Sequence, residues 1–489
     1  MSETTTPAGE SSDATVIPAA GEFGGAHTTL RRGALGLTSA IVISVAVMSP
    51  AASIFFNTIP QAGLVGAAIP LCYLVGFLVA LLVANQYSEF SRELPSSGSA
   101  YTFVREGLGA RFGFLTGWIG LIAIVLGVPY SFVLMSANLQ TLVYRFSGVN
   151  IAWPIYFVVA VGVVFAISYI GIRESLRVDL TLLVFEIGVC LTLAALVLFN
   201  VGSNGGLSLA PFTPAPVPPG GDLTVGIVLA VLSFIGFETA AALGEETRNP
   251  RRNIPRAVYG SMLVVGAFYV IMAYAAVMGY GMDNMVSGYA KDAAPFDTIA
   301  RAFGGNTLAV LVDIAGILSF FSAALAIVNG GARIIYTLGR DGLLPRPLAW
   351  THPTRQTPAG AITLLCGIGL VAGIALGLAL TPISAFGFLG TLDALFVLLI
   401  YFLVSAACIR FFWRSRRDGF KLVRHGVIPA LGMLITGGIV ALALISPGDA
   451  PLSYVPWVVG AWLLIGIPLA LIVGGKAVAA EQAGEAPTS

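Results

Sequence analysis

Lysine is almost missing from this chain, with three in 489 residues, and histidine is as scarce. Charged residues make up 10% of the sequence and nearly cancel to a net charge of +1, which excludes the basic face that a nucleic-acid partner needs. His27, His352 and His425 fall in the expected tail or loops, so the paired histidines of a metal centre and the nucleophile with its base that an enzyme needs have no candidates. No metal, cofactor or catalytic group is therefore expected. The four cysteines, Cys72, Cys190, Cys366 and Cys408, all lie inside apolar stretches and read as small core residues rather than disulfide partners. Residues 1–30 have no apolar run and are rich in Ser, Thr, Ala and Gly, so they lack the core of a signal peptide and read as a disordered tail.

What the chain has instead is hydrophobicity. It is 57% hydrophobic with a mean hydropathy of +0.90, beyond the range of a soluble domain of this length, and reads as an all-α membrane protein surrounded by lipid. Apolar runs long enough to cross a bilayer number twelve, near 34–59, 65–86, 112–144, 152–172, 178–199, 224–247, 257–280, 308–337, 358–379, 383–409, 427–446 and 453–475. With the first tail in the cytoplasm, 22 of the 25 Lys and Arg fall on the cytoplasmic side, leaving Arg145, Lys291 and Arg301 outside it. That balance predicts cytoplasmic termini. The Ala- and Gly-rich, lysine-poor composition suggests a GC-rich bacterium and hence its inner membrane.

Two spans are interrupted. The sixth carries Glu238 in its interior, two residues after Gly236, and a carboxylate at that depth costs roughly 3 kcal/mol on insertion scales unless it has a partner or a task. The first carries Pro50 near its middle, flanked by Ser49, Ala51, Ala52 and Ser53; an interior proline frees a backbone carbonyl that lipid cannot satisfy. Spans one and six are five apart and so run in opposite directions. Matching breaks in oppositely oriented halves point to a transporter with inverted repeats and a site near the midplane.

Four carboxylates lie within the spans proper, clear of their cytoplasmic ends: Glu186, Glu238, Asp313 and Asp393, with no Lys or Arg expected at comparable depth. Acids without basic partners point to proton carriage, cation binding or recognition of an amine. Asp313, near the outer end of its span, reads as hydrated and structural. Ser319 and Ser322, one turn apart in span eight, form a candidate cation site with carbonyls from the first break, although serine pairs also bond neighbouring helices.

Three stretches, GFETAAALGEETRNPRRNIPRAV (236–258), ELPSSGSAYTFVREGLG with GFLTGW (93–118) and RIIYTLGRDGLLP (333–345), resemble the amino acid–polyamine–organocation transporter family, in order along the chain. The resemblance implies a LeuT-type fold of twelve transmembrane helices. Five-plus-five inverted repeats would occupy 31–200 and 201–410, two extra helices 411–475, and a cytoplasmic tail 476–489. It also implies a substrate held between helices one, three, six, eight and ten by the unwound backbones of helices one and six. Here those map to Ser49, Pro50, Ala51, Ala52 and Ser53, and to Phe234, Gly236, Phe237 and Glu238, with Glu238 or Asp393 facing an amine. Two departures stand out: the first break reads Met-Ser-Pro-Ala-Ala-Ser where relatives are commonly Gly-rich, and Glu186 stands where proton-coupled relatives often have lysine. The expected function is import of an amino acid by proton symport and alternating access, with Glu186, then Glu238, as the proton-linked group. The alternatives are transport of a polyamine or other organic amine, or sodium-coupled symport or exchange.

Overall fold

The computed structural model describes Leu30, residues 33–445 and residues 450–482, the stretch 473–482 as backbone only. The tail expected over 1–30 thus lies outside the described residues apart from Leu30, and that expected from 476 is helical to Gln482. Among the described residues fourteen α-helices follow one another: α1 Leu37–Val47, α2 Pro50–Val65, α3 Ile69–Glu93, α4 Ala100–Leu108, α5 Ala110–Ser147, α6 Trp153–Ile170, α7 Ile172–Ser203, α8 Leu223–Leu232, α9 Pro250–Tyr280, α10 Pro295–Arg340, α11 Ala359–Ala379, α12 Pro382–Ser415, α13 Ile428–Ile445 and α14 Val455–Gln482. Among the described residues there is no strand, only an isolated bridge between Leu35 and Thr247.

Eleven segments among the described residues are long and apolar enough to cross a membrane. The expected count was twelve, and the difference lies in Leu37–Glu93, a 57-residue segment covering the first two expected spans. It bends at Ser49 and at Gly66, whose φ of 56° and ψ of −128° suit a residue without a side chain. Proline opens α2, α9, α10 and α12 in the first turn, where its missing N–H is not needed. Asp222 caps α8 by accepting from the amides of Thr224 and Val225. The stretch between the seventh and eighth expected spans holds two short 3-10 turns and the start of α10, which is broken at Gly305.

The core is built by pairs of long helices, α3 along α9, α5 along α12 and α10, and α7 along α10. Gly113 and Gly117 serve close approach: a Cβ at Gly113 would meet Arg105 Cβ at 2.6 Å, and one at Gly117 would meet Leu338 at 2.8 Å. Large apolar side chains such as Val184, Phe199, Val371 and Leu464 point outward, as hydrocarbon surroundings require. α14 is pinned to α5 by stacked Trp118 and Trp462, 4.3 Å apart, each indole N–H donating to the other residue's carbonyl.

One expectation fails here. His425 is not in an open loop: it sits buried in a π-turn, Leu422–Val427, stacked on Phe412 at 3.9 Å with Nε2 3.1 Å from Glu89.

Candidate functional site

The first helix break is a change of hand. Ser49 adopts φ 42° and ψ 68°, which ends α1 after Met48 and lets Pro50 start α2. The freed carbonyl of Met48 accepts from the Ser53 hydroxyl at 2.8 Å and from the Tyr269 hydroxyl at 2.8 Å. Ser319 Oγ accepts from the amide of Ala52 at 3.2 Å, occupying one of the open donors at the start of α2.

The second break uses glycine. α8 ends at Leu232, and Gly236, at φ 124°, turns the chain into a 3-10 helix, Phe237–Leu243. A Cβ at Gly236 would lie 2.6 Å from Val47 and 3.0 Å from the Met48 amide, so the two breaks touch backbone to backbone. Glu238 folds back to accept from the Gly236 amide at 2.9 Å and from the Tyr401 hydroxyl at 2.6 Å. Tyr269 joins the breaks, since its hydroxyl also lies 3.0 Å from the Ser233 carbonyl.

A cavity of about 370 Å³ opens beside both breaks. Of the residues expected to hold a substrate, Ser49, Ala52, Ser53, Glu238 and Asp393 are on its wall, whereas Pro50, Ala51, Phe234, Gly236 and Phe237 are not. Phe234 instead packs on Phe77 and Tyr269, and Phe237 on Tyr401 and behind Tyr87, whose own ring is on the wall. Tyr130, Asn57 and Thr391 also line it, unforeseen because a neutral polar residue in an apolar helix carries no signal of its own. Pro129, inside α5, was the one available cue to Tyr130. Phe56, Phe320 and Phe386 make an aromatic cluster on the wall with centroids 5.5–6.2 Å apart. Among the described residues no Lys, Arg or His is on the wall, while two carboxylates are.

Glu186 stands behind the first break, outside the cavity wall. It is fully buried beside the Ala51 amide and the Ser319 hydroxyl, and neither of its oxygens receives a hydrogen bond of good distance and angle. Ser322 donates at 3.1 Å to buried Asp179, a further acid at the start of the fifth expected span. Ser319 and Ser322 therefore bond to different partners and do not converge as a pair. Asp313 has the basic partner it was expected to lack, Arg145 at 2.9 Å, and Arg333 is a buried cation paired with Glu246. Both pairs depend on helices distant in sequence, which span counting cannot align. Among the described residues no group of three or more His, Cys, Asp or Glu could hold a metal ion.

The three stretches behind the family resemblance meet at one end of the cavity. Ser97 donates to Glu245 at 2.8 Å, Glu245 accepts a two-pronged contact from Arg340 at 3.0 and 3.1 Å, and Ser97 and Thr337 share a 2.6 Å hydrogen bond. Burial pushes the Glu245 carboxyl up, but the hydrogen bonds from Arg340 and Ser97 outweigh it and hold it below the usual carboxylate range.

Residues 35–468 match the family described as amino acid permease. The branched-chain amino acid permease BcaP of Bacillus subtilis is 29% identical over 405 residues, covering 78% of this chain and 82% of the relative. The low-affinity putrescine importer PlaP of Escherichia coli K12 is 25% identical over 419 residues (83% and 88%), and the methylthioribose transporter of Bacillus subtilis 25% over 413 (80% and 84%). These relatives are transporters rather than enzymes. With the apolar helices, the match makes this an integral, multi-pass membrane protein that transports an amino acid or amine, and the chain belongs to the amino acid permease family.

Proposed function

We propose that the protein is a secondary transporter that imports an amino acid across the bacterial cytoplasmic membrane by proton symport and alternating access. The observation that carries this reading is the cavity set against two touching helix breaks, with Glu238 and Asp393 on its wall and Glu186 behind it. A volume of about 370 Å³ suits a small metabolite, and the Phe56, Phe320 and Phe386 cluster suits an apolar side chain. The α-amine is taken by Glu238 or Asp393 and the carboxylate by main-chain amides at the breaks. Glu186 does not reach the cavity, so it serves coupling rather than recognition, binding the proton that accompanies substrate.

The twelve-crossing, five-plus-five arrangement is supported by which helices are neighbours. Counting α1 with α2 as crossing one and α8 with the 3-10 helix as crossing six, the third packs on the tenth and the eighth on the fifth, while the first packs on the seventh and the sixth on the second. Each couple maps onto the other by a shift of five. In this reading 31–200 and 201–410 are the repeats, 411–475 is an addition, and both termini are cytoplasmic, the side favoured by the arginines.

A second reading, transport of a polyamine or other organic amine, is favoured by the acidic, cation-free wall and by the putrescine-importing relative. Purified protein in liposomes with an inward pH gradient decides between them, using pooled labelled amino acids against pooled polyamines, with and without sodium. Amino acid uptake that collapses with a protonophore and ignores sodium is the expected result. Polyamine uptake alone moves the function to the second reading, and normal accumulation by Glu186→Gln removes the coupling role of that residue.

A further inference from the structure

α7 and α10 face each other through a column of polar side chains. Seven residues return a helical side chain almost to its starting face, so Asp179 and Glu186 share one face of α7 about 10 Å apart along the axis, with Ser175 a turn before Asp179. On α10, Ser319, Ser322 and Asn329 likewise lie along one face. The helices run antiparallel and the residues pair in register: Asn329 Nδ2 donates to Ser175 Oγ at 2.5 Å, Ser322 Oγ to Asp179 Oδ1 at 3.1 Å, and Ser319 sits beside Glu186. The column starts at the first helix break, where Ser319 takes the Ala52 amide. It reaches the buried Arg333–Glu246 pair, for Arg333 also donates to the Asn329 carbonyl.

Two features separate this column from ordinary helix packing. Asp179 and Glu186 are both fully shielded from solvent; Asp179 Oδ2 receives no hydrogen bond, and Glu186 has only the Ser319 hydroxyl and the Ala51 amide beside it, neither at good hydrogen-bond distance and angle. Buried carboxylate oxygens without partners are costly and are kept where a ligand shares them. The other ionisable groups near the column are Cys190, one turn beyond Glu186, the Tyr269 hydroxyl at the break, and the Arg333–Glu246 ion pair. Among the described side chains no cation stands between the two acids, and each can hold one proton.

We infer that Asp179 is a second proton station, which with Glu186 and the hydroxyls of Ser319 and Ser322 forms a relay from the first helix break toward the Arg333 end. The proton held by Glu186 leaves as the Asp179 carboxylate is protonated. Ser319 takes the proton from Glu186 and gives its own to a water molecule set between the two hydroxyls, that water gives one to Ser322, and Ser322 passes its own hydrogen to Asp179 Oδ1, so one proton enters and one leaves with both serines and the water unchanged. Asp179 touches neither the cavity nor the breaks, so it acts on coupling and not on substrate recognition.

This inference rests on the proton-coupled reading above, and the test separates the two. Wild type and Asp179→Asn are reconstituted in liposomes and assayed for accumulation driven by a pH gradient, and for exchange of labelled against unlabelled substrate without a gradient. The relay predicts that Asp179→Asn exchanges substrate like wild type but no longer accumulates it. Gradient-driven accumulation by Asp179→Asn equal to wild type overturns the relay and leaves proton coupling standing. A wild type that ignores the pH gradient, or follows sodium instead, overturns both. Should Asp179→Asn not reach the membrane, Ser322→Ala keeps both acids and removes the bridge: slowed accumulation with normal exchange supports the relay, and unchanged accumulation overturns it.

Discussion

The two helix breaks solve the same problem with different chemistry. At the first, a non-glycine residue, Ser49, takes a left-handed conformation and hydroxyls do the bonding: Ser53 and Tyr269 on the Met48 carbonyl, Ser319 on the Ala52 amide. At the second, glycine makes the turn and a carboxylate joins the hydroxyls: Glu238 takes the Gly236 amide and the Tyr401 hydroxyl, while the Ser233 and Phe237 carbonyls take the Tyr269 and Ser44 hydroxyls. The first break is thus lined by neutral groups and keeps its acid, Glu186, behind it, whereas the second places its acid on the cavity wall. The difference divides the labour proposed above, coupling behind one break and recognition at the other.

The largest effect should come from Gly236→Ala. Alanine at φ 124° is strained by about 1–3 kcal/mol, and its methyl would lie 2.6 Å from Val47, so both breaks must move apart. Loss of transport together with a lowered melting temperature is expected, and full activity would show that the breaks need not touch. Glu238→Gln keeps an acceptor for Gly236 and Tyr401 but removes the charge, so substrate affinity should weaken by about 1.5–3 kcal/mol, roughly 10- to 140-fold, in a scintillation-proximity binding assay. Unaltered affinity would transfer amine recognition to Asp393. Tyr269→Phe removes the one hydroxyl that serves both breaks and should cost about 1–2 kcal/mol of thermal stability and slow transport, while substrate affinity changes less than in Glu238→Gln.

The smallest effect lies at the far end of the second break. The folded Glu245 carboxyl is held below its unfolded value of about 4.3, so the Arg340 and Ser97 contacts stabilise fully above that pH and are lost as pH falls through the lowered value. Wild type should exceed Glu245→Gln by about 1 kcal/mol near neutrality, a margin that shrinks only below pH ~4. Melting curves across pH measure it, and a margin that persists in strong acid would assign the effect to packing.

Much of this was legible in the sequence because lipid imposes strict rules. Length and hydropathy give the spans, Pro50 and Gly236 give the breaks, and an acid in an apolar run advertises itself, as Glu186 and Glu238 did. Asp179 escaped because it sits near a span end, where an acid looks hydrated until the facing helix covers it. The resemblance places Phe234 and Phe237 at the break through their backbone, which says nothing of where the side chains go, and both rings pack among other aromatic rings.

The sequence by itself determined that this chain is helical, lives in lipid and is interrupted twice, since those properties depend on local composition and on backbone groups that cannot go unsatisfied in hydrocarbon. Only the tertiary structure decided which acids meet the cavity and which are sealed behind it, which arginines are paired, and that Ser322 belongs to Asp179 rather than to Ser319. Those outcomes depend on the register of helices separated by more than a hundred residues, and register is fixed by packing rather than by any one segment.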